Sequence, residues 1–281
     1  MKKVLIAGAG SYIGEQIAAS LAPDRFSVET LSLRGESWKR KDFSGFDTVV
    51  QVAGVAHQQE SEQNAALYFA VNRDLAVETA RRAKAAGVKQ FVYFSSMSVY
   101  GLVVGHITAD TPVNPVTNYG KSKWEAEQAL RALADDSFHV AVLRPPMIYG
   151  RGCKGNYPRL AKLILRFHVF PRVNSERSML YIGTLCGFMA RLIESGEGGL
   201  YFPQNREYVR TNELARQIAL AHASALWQPR GLGWLMKPLA ARGGTLGKVL
   251  GSLTYERSMS AAFAGEKLNF AQTIRETEAQ P

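Results

Sequence analysis

The sequence predicts an α/β protein with a doubly wound parallel sheet and a smaller C-terminal α/β lobe. Short apolar runs alternate with helical patterns up to about residue 150, and this alternation is typical of parallel strands joined by helices. The first run ends in a glycine-rich loop at Gly8, as expected where a buried strand leads into a helix. After Gly150, glycine, proline and basic residues become denser and strand patterns scatter, which indicates a less regular second lobe.

Five apolar runs are predicted to be strands of the parallel sheet. Strands that are buried on both faces read as continuous apolar segments, because neither face alternates with solvent-facing polar residues. The predicted strands are 3–7, 26–33, 48–53, 90–94 and 140–143.

Helices are predicted between and after these strands from helical periodicity. The last one is typical, because Leu214 and Ile218 share a face and Thr211 or Asn212 can cap the N-terminus. The predicted helices are 14–21, 72–86, 119–134, 180–194 and 211–225.

Composition narrows the class of protein without choosing a function. The chain has 281 residues, of which 46% are hydrophobic and 21% charged, and these fractions are ordinary for a globular protein. A mainly disordered chain, a collagen and a coiled coil are therefore excluded. The formal net charge of +10 is compatible with nucleic acid, an anionic membrane or a phosphorylated small molecule as partner.

A glycine-rich loop joins the first strand to the first helix. Glycines let the backbone turn tightly and approach a pyrophosphate, and the helix N-terminus supplies N–H groups and a positive dipole end. The common Gly-x-Gly-x-x-Gly spacing fails by one residue, because Ile stands at position 13. In its context after the first strand, the loop still predicts dinucleotide binding. The residues expected to contribute are Gly8, Gly10, Ser11, Tyr12, Ile13 and Gly14.

The end of the second predicted strand bears on which dinucleotide binds. A carboxylate there would hold the adenosine ribose hydroxyls and select NAD, but the segment reads Leu31-Ser32-Leu33-Arg34. Arg34 can pair with a 2′-phosphate and Ser32 leaves room for it; the alternative is that Arg34 is a solvated loop charge. We therefore favour NADP(H) as cofactor, with NAD(H) possible.

A tyrosine and a lysine four residues apart begin the predicted helix 119–134. This spacing puts Tyr119 and Lys123 on one helix face. A phenol has an ordinary pKa near 10, and a nearby ammonium is expected to lower it and can also reach a cofactor ribose. Upstream, Ser95, Ser96 and Ser98 follow an apolar strand, at the strand end where such sheets bind ligands. A serine hydroxyl there can hydrogen-bond a carbonyl oxygen.

Together these motifs resemble the extended short-chain dehydrogenases/reductases, in their branch of nucleotide-sugar epimerases, dehydratases and ketoreductases. The resemblance covers nearly the whole chain and implies a Rossmann-like fold. Gly8 and Gly14 match the outer glycines of the family loop, whereas Ser11 replaces the middle one. The family's catalytic trio falls on Ser96, Tyr119 and Lys123.

The resemblance also implies further contacts to the cofactor. Asn72 matches an asparagine that opens a helix, and the segment 143–150 resembles the one passing beside the nicotinamide. The further residues expected at the cofactor are Ala53, Gly54, Lys123 and Pro146.

Two segments of the second lobe resemble the family's substrate side. Arg177 matches a residue that would contact a phosphate, where a guanidinium fork fits the oxygens; the alternative is a solvated arginine. Ser178 and Thr184 replace acids that are usual there. The residues expected to bind substrate are Ser96, Ser98, Asn156 and Arg177, and the substrate class is a UDP-linked sugar.

These assignments divide the chain into two functional parts. Residues 1–150 are expected to form the dinucleotide-binding Rossmann domain, to which 177–196 returns, and 151–281 are expected to form most of a substrate-binding lobe.

The reaction that the sequence favours is NADPH-dependent reduction of a UDP-4-keto-6-deoxyhexose, N-acetylated, to the 4-hydroxy sugar. The alternatives are a UDP-sugar 4-epimerase with tightly bound NAD and a non-catalytic, cofactor-sensing regulator. A dehydratase is disfavoured, because Met97 and Ser98 stand where it would carry an acid/base pair.

Partners and compartment follow from what the sequence lacks. No stretch reaches the ~18 apolar residues that span a bilayer, and no helix-turn-helix or zinc finger indicates nucleic-acid binding. Cys153 and Cys186 are the two cysteines, so no disulfide framework or cysteine metal site is expected, and a cytoplasmic location is the simplest. The family resemblance implies a possible homodimer through the helices near 72–86 and 119–134.

Two remaining features each have two interpretations. His57 is more often a structural hydrogen-bonding residue than a substrate contact. Trp227 and Trp234, with Leu235, Arg230 and Lys237 nearby, are expected to pack inside the smaller lobe; the alternative is an interfacial membrane patch.

Overall fold

The computed structural model describes residues 1–56, 61–230, 251–263 and 268–279. The chain forms two compact units, which we call unit 1 and unit 2. Unit 1 comprises 1–101, 112–145 and 185–202, and unit 2 comprises 102–111, 146–184 and 203–281. The predicted division places the boundary at residue 150 and returns 177–196 to the first part. In the structure, the chain passes between the units more often than this, because 102–111 also belongs to unit 2. His57, Trp234, Leu235 and Lys237 lie outside the described residues.

The described residues contain the following strands and helices. The strands are β1 Lys2–Ala7, β2 Phe26–Leu31, β3 Thr48–Gln51, β4 Gln90–Phe94, β5 Gly105–Ile107, β6 His139–Leu143, β7 Met147–Tyr149, β8 Glu176–Arg177, β9 Met179–Tyr181, β10 Gly199–Tyr201, β11 Val209–Arg210 and β12 Leu253–Tyr255. The α-helices are α1 Tyr12–Ser20, α2 Glu62–Phe69, α3 Leu75–Ala85, α4 Asn118–Arg131, α5 Asn156–Phe167, α6 Ile182–Ser195, α7 Thr211–Ala221 and, for the last helix, α8 Phe270–Glu278.

Unit 1 is built on a six-stranded sheet in which every neighbouring pair is parallel. The strand order is β10-β6-β4-β3-β1-β2. The chain leaves β1 toward β2 on one side and returns to β3 on the other side of β1. Such a reversal opens a crevice at the carboxyl ends of the strands, where open α/β sheets bind ligands. The predicted α/β class with a doubly wound parallel sheet is confirmed.

The core of unit 1 explains why its strands are continuous apolar runs. Leu5, Val49 and Phe91 come from three neighbouring strands and are fully buried. They belong to one cluster with Ala80 of α3 and Leu130 of α4. Side chains from the strands thus anchor α3 and α4. Asn72 lies just before α3, and Tyr119 and Lys123 lie in the first turns of α4.

The helical stretch predicted at 72–86 begins ten residues earlier, at Glu62. Ser61 and Asn64 form a reciprocal capping box at its start, which satisfies two otherwise unpaired backbone N–H groups. A π-turn over Ala70–Asp74 interrupts the helix and holds Asn72 fully buried. The segment 62–71 has little amphipathic pattern, so periodicity alone does not predict that it is helical.

In the described part of unit 2, two small sheets and three helices pack on a separate core. The sheets have the orders β11-β8-β12-β5 and β7-β9. Ile164 of α5, Ile218 of α7 and Ile274 of α8 are buried in one cluster with Tyr149 of β7. The Tyr149 hydroxyl lies 2.7 Å from the Thr273 hydroxyl, which fixes the last helix to β7. In the described part of the chain, no helix is both long and apolar enough to cross a bilayer.

Candidate active site

The loop after β1 requires glycine at Gly8 and Gly10. Their φ angles are +132° and +78°, in the region that favours glycine. A Cβ on Gly8 would lie 2.6 Å from the Ala53 backbone nitrogen. The Gly8 N–H donates to the Leu31 carbonyl over 2.8 Å. The loop is therefore held between the carboxyl ends of β2 and β3, beside the strand reversal.

Ser11 is accommodated because its position does not need a glycine. Its φ of −85° is ordinary, and its hydroxyl caps α1 by accepting from the Gly14 N–H over 3.2 Å. A Cβ on Gly14 would lie 2.9 Å from a methyl of Val52, so Gly14 lets α1 pack closely on the residue that follows β3. Tyr12 and Ile13 form the first helical turn and are half-buried. This turn is suited to a phosphate, since a helix N-terminus favours an anion.

The end of β2 is polar, exposed and cationic. Ser32 and Arg34 are both exposed, and the Arg34 N–H donates to the Ser32 hydroxyl over 3.4 Å. The next acid along the chain, Glu36, is engaged in an ion pair with Lys39 at 2.6 Å. An NAD-selective site carries a ribose-binding carboxylate after its second strand, whereas the segment after β2 in this chain carries Ser32 and Arg34.

Ser96 and Tyr119 are brought together at the carboxyl end of β4. The Ser96 hydroxyl hydrogen-bonds the Tyr119 phenol. It also accepts from the Ser98 N–H over 3.1 Å and lies 3.2 Å from the Ser98 hydroxyl. Ser95, in contrast, is buried and donates to Glu127. Of the three serines, Ser96 is the one that meets the phenol, with Ser98 beside it.

Burial raises the pKa of the Tyr119 phenol, and the hydrogen bond from Ser96 opposes this effect only in part. The ring of Tyr68 packs edge-on against it, with centroids 6.3 Å apart. The expectation that Lys123 lowers the pKa of Tyr119 is therefore wrong for this structure, because desolvation outweighs the favourable contacts. The phenol stays protonated at neutral pH.

Lys123 is buried next to the end of β4. Its ammonium donates to the Phe94 carbonyl over 2.8 Å and lies 4.8 Å from the centre of the Tyr93 ring. Burial lowers the pKa of Lys123 to about 7, although Glu127 favours the charged form. A Cβ on Gly54 would lie 3.3 Å from its Nζ. Lys123 therefore borders the loop that begins at Ala53 and Gly54.

Asn72 connects that loop to α4. Its side-chain oxygen accepts from the Val55 N–H over 2.8 Å, and its amide nitrogen donates to the Val55 carbonyl and to the Ser122 hydroxyl, each over 3.1 Å. The Tyr93 hydroxyl donates to the Asn72 carbonyl over 2.8 Å. Asn72 thus fixes the backbone after β3 relative to the helix that carries Tyr119 and Lys123.

The sequence reasoning missed a buried ion pair under the site. Arg144 and Glu127 lie 2.6 Å apart, with only 4% and 0% of their side chains exposed. Glu127 accepts from the Ser95 hydroxyl, and Arg144 donates to the Tyr100 hydroxyl over 2.8 Å. The pair therefore ties α4 and β6 to both sides of Ser96. The available signal was the repeat of Tyr119, Lys123 and Glu127 at four-residue intervals on one helix face.

Unit 2 holds Asn156 and Arg177, two of the four residues predicted to bind substrate, whereas Ser96 and Ser98 lie in unit 1. An Arg177 Nη donates to the Gly251 carbonyl over 2.7 Å. Burial lowers the pKa of Arg177 to about 10, so the guanidinium remains charged at neutral pH. Asn156 is exposed at the start of α5, whereas Pro146 is buried.

Ser178, which replaces an acid usual in the family, is buried and donates its hydroxyl to Gln204. The same hydroxyl accepts from the Tyr255 N–H over 2.9 Å. Ser178 therefore has a structural role inside unit 2.

The sequence pattern of the NAD dependent epimerase/dehydratase family matches residues 4–223. The chain belongs to this family. The predicted family is thereby confirmed, and the dependence on a nicotinamide cofactor is supported.

Two curated relatives of this chain are 4-epimerases by name. An N-acetyl-α-D-glucosaminyl-diphospho-ditrans,octacis-undecaprenol 4-epimerase of Escherichia coli O157:H7 is 27% identical over 241 residues, which cover 76% of this chain and 71% of the relative. A UDP-glucose 4-epimerase of Vibrio cholerae is 28% identical over 255 residues, which cover 81% and 78% of the two chains.

Solved structures share the fold over nearly the whole length. The UDP-glucuronic acid 4-epimerase from Bacillus cereus in complex with NAD superposes with a TM-score of 0.76 at 15% identity and covers 98% of this chain and 97% of the other. RMD from Pseudomonas aeruginosa complexed with NADPH gives a TM-score of 0.73 at 19% identity, covering 99% and 98%. Both an NAD complex and an NADPH complex thus have this fold.

Proposed function

We propose that the protein is an NADPH-dependent ketoreductase that converts a UDP-linked, N-acetylated 4-keto-6-deoxyhexose to the 4-hydroxy sugar. The observation that carries the proposal is the protonated Tyr119 phenol, hydrogen-bonded to Ser96 at the carboxyl end of β4. Reduction of a ketone needs a proton donor beside the carbonyl oxygen, and a phenol with a raised pKa is in the required form.

The residues of unit 1 fit a dinucleotide. Gly10 has a positive φ, and a Cβ there would meet open space, so the backbone is accessible to a pyrophosphate above the N-terminus of α1. Lys123, beside Gly54, would bind the ribose hydroxyls. The bound nicotinamide would supply the hydride. Arg34 and Ser32 would receive the 2′-phosphate, which is the basis for preferring NADP(H) over NAD(H).

Each catalytic residue has a distinct role in the proposed reduction. Tyr119 would transfer its proton to the 4-keto oxygen as that oxygen gains electron density. Ser96 would donate a hydrogen bond to the same oxygen, where negative charge develops. Lys123, in its charged form, would stabilise the phenolate left on Tyr119. A proton from solvent would then return Tyr119 to the phenol form for the next turnover. Ser98, beside Ser96, would help to orient the sugar.

In unit 2, Arg177 would bind the diphosphate of the substrate. Burial disfavours its charge, and a carbonyl oxygen accepts only one of its five N–H donors in the contact to Gly251. A phosphate would stabilise such a desolvated, charged guanidinium more than it would stabilise a fully solvated one. Asn156 would add a neutral hydrogen bond, and Pro146 would line the cofactor.

The test is to supply the purified protein with NADPH and a UDP-4-keto-6-deoxy-N-acetylhexosamine. We expect one NADPH to be consumed for each 4-hydroxy sugar formed, with NADH used less efficiently. The proposal fails if NADPH is not consumed while the sugar turns over. No turnover with any UDP-4-keto sugar would favour the non-catalytic regulator.

A UDP-sugar 4-epimerase is the second candidate, because the two curated relatives described above are 4-epimerases by name. An epimerase would use the same trio but would retain NAD and return it to its starting redox state. NAD⁺ that remains bound through purification, with interconversion of 4-epimers and no net NADPH consumption, would identify that reaction.

We also propose a cytoplasmic, reducing location, since Cys153 and Cys186 are both free thiols. A homodimer through α3 and α4 remains a proposal that sedimentation equilibrium can test.

A further inference from the structure

The positive charge of the protein is concentrated in unit 2. Unit 2 holds 17 Lys and Arg residues against 8 Asp and Glu residues, a formal net charge of +9, whereas unit 1 holds 17 against 16, a net charge of +1. Within unit 2, residues 151–175 contain six Lys and Arg residues and neither Asp nor Glu. A local excess of positive charge of this size attracts anions over an area much larger than the binding site of a single phosphate.

The outer face of α5 combines this charge with exposed apolar side chains. The inner face is buried through Tyr157, Leu160 and Ile164. On the outer face, Leu163 and Phe167 lie one turn apart and are 48% and 58% exposed. The exposed cations of the same helix are Arg159, Lys162 and Arg166.

Trp227 extends this face beyond the end of α5. Its N–H donates to the His168 carbonyl over 2.8 Å, and its carbonyl accepts from the Phe170 N–H over 3.1 Å. These bonds place Trp227 beside Val169, and the two side chains are 68% and 38% exposed. The expectation that Trp227 packs inside the lobe is therefore wrong, because its backbone is paired while its indole faces solvent.

We propose that this basic apolar face of unit 2 docks on the surface of an anionic lipid bilayer. The face is defined by Arg159, Lys162, Leu163, Arg166, Phe167 and Trp227. Indole and phenyl side chains enter the headgroup region of a bilayer, and Lys and Arg beside them bind lipid phosphates. A small phosphorylated ligand would engage the cations but would leave the tryptophan and phenylalanine in water.

A protein partner matches the face less well than a bilayer does. The centres of specific protein interfaces are depleted in Lys, whereas here Lys162 lies among the apolar residues, between Arg159 and Arg166 on one helix. A bilayer accepts this combination, because long basic side chains reach the phosphates while the apolar ones insert. The inference concerns unit 2 and is independent of the reduction proposed for Ser96, Tyr119 and Lys123.

The test is co-sedimentation of the full chain with vesicles of phosphatidylcholine alone or mixed with phosphatidylglycerol. We expect binding to the mixed vesicles, weak binding to phosphatidylcholine alone, and release at high ionic strength. The charge variant Arg159→Gln/Lys162→Gln/Arg166→Gln is expected to lower the partition coefficient roughly a hundredfold. The apolar variant Leu163→Ser/Phe167→Ser/Trp227→Ser is expected to lower it by at least about tenfold.

A matched control variant, Arg81→Gln/Val116→Ser, removes an exposed cation and an exposed apolar side chain from unit 1 and should bind vesicles like the wild type. Circular dichroism checks that each variant is folded, and the altered side chains are exposed, so the fold should tolerate them. Absence of wild-type binding to the mixed vesicles would overturn the proposal, as would binding unaffected by both face variants or equally lost in the control. Self-association that the apolar variant abolishes, without vesicle binding, would instead assign the face to a second copy of the chain.

Discussion

Glu127 and Arg144 form a buried ion pair that holds the residues on both sides of Ser96. The carboxylate receives the Ser95 hydroxyl, and the guanidinium donates to the Tyr100 hydroxyl. Ser96 lies between these two contacts and meets the Tyr119 phenol. Since Glu127 is on the same helix as Tyr119, the ion pair fixes the serine and the tyrosine relative to each other.

Breaking this ion pair should damage both the fold and the site. In Glu127→Gln the buried guanidinium loses its counter-ion, and removal of one partner of a buried pair typically costs ~3–5 kcal/mol. We expect a large decrease in the free energy of unfolding by urea, and slower reduction in whatever fraction folds. The double variant Glu127→Leu/Arg144→Met should recover much of the stability, because it leaves no unpaired charge. A single variant as stable as the wild type would contradict this account.

Replacing the phenol should separate binding from chemistry. Tyr119→Phe keeps the ring but removes the proton donor, so we expect the turnover rate to fall roughly 10²–10⁴-fold. NADPH affinity, measured by fluorescence titration, should change little. Tyr201→Phe is the matched control, because the Tyr201 hydroxyl donates to the Gly198 carbonyl at the β10 edge. Near-normal turnover by Tyr119→Phe would remove Tyr119 from the proposed mechanism.

The buried ammonium of Lys123 predicts a pH dependence of stability. Its pKa falls from the ordinary 10.5 to about 7 in the folded chain, so the unfolded chain binds more protons between these values. The penalty for burying the charge is present below pH 7 and is relieved as the pH rises toward 10.5. Without cofactor, Lys123→Met should be more stable than the wild type near neutral pH.

The measurement is urea unfolding of both proteins across this alkaline range. The difference in the free energy of unfolding should shrink as the pH rises, because the wild-type lysine becomes neutral. Other titrating groups are common to both proteins and cancel. A difference that does not change with pH would show that Lys123 keeps an ordinary pKa.

The preference between NADPH and NADH tests the proposed contact of Arg34, at the end of β2, with the 2′-phosphate. Arg34→Ala should raise the KM for NADPH about tenfold to a hundredfold, the range expected for loss of a charged hydrogen bond. The KM for NADH should stay the same, since NADH has no 2′-phosphate. Arg40→Ala is the control, because Arg40 is also an exposed cation in the next part of the chain. Equal losses with both cofactors would argue against a 2′-phosphate contact at Arg34.

The sequence was sufficient for features that depend on local backbone geometry and spacing. The glycine loop at Gly8 and Gly10 follows from the sharp turn between β1 and α1, and the turn-to-turn spacing of Tyr119 and Lys123 follows from the helix period. The strands could be predicted because a parallel sheet buries both faces.

Features that depend on tertiary packing could not be read from the sequence. The pKa of Tyr119 is raised because folding buries the phenol next to Tyr68, whereas the sequence displays only the nearby lysine. Glu127 and Arg144 come from separate elements, so their pairing required the packing of α4 against β6. Trp227 is exposed because its backbone pairs beside Val169, and no local pattern indicates that pairing.

The most direct test of the proposed reduction is the fate of the hydride. NADPH deuterated at the transferable position should be incubated with the UDP-4-keto-6-deoxy-N-acetylhexosamine and the wild-type protein. The account predicts one deuterium at C4 of each product sugar and an equal amount of NADP⁺. A product without deuterium, formed while NADPH remains unoxidised, would contradict it.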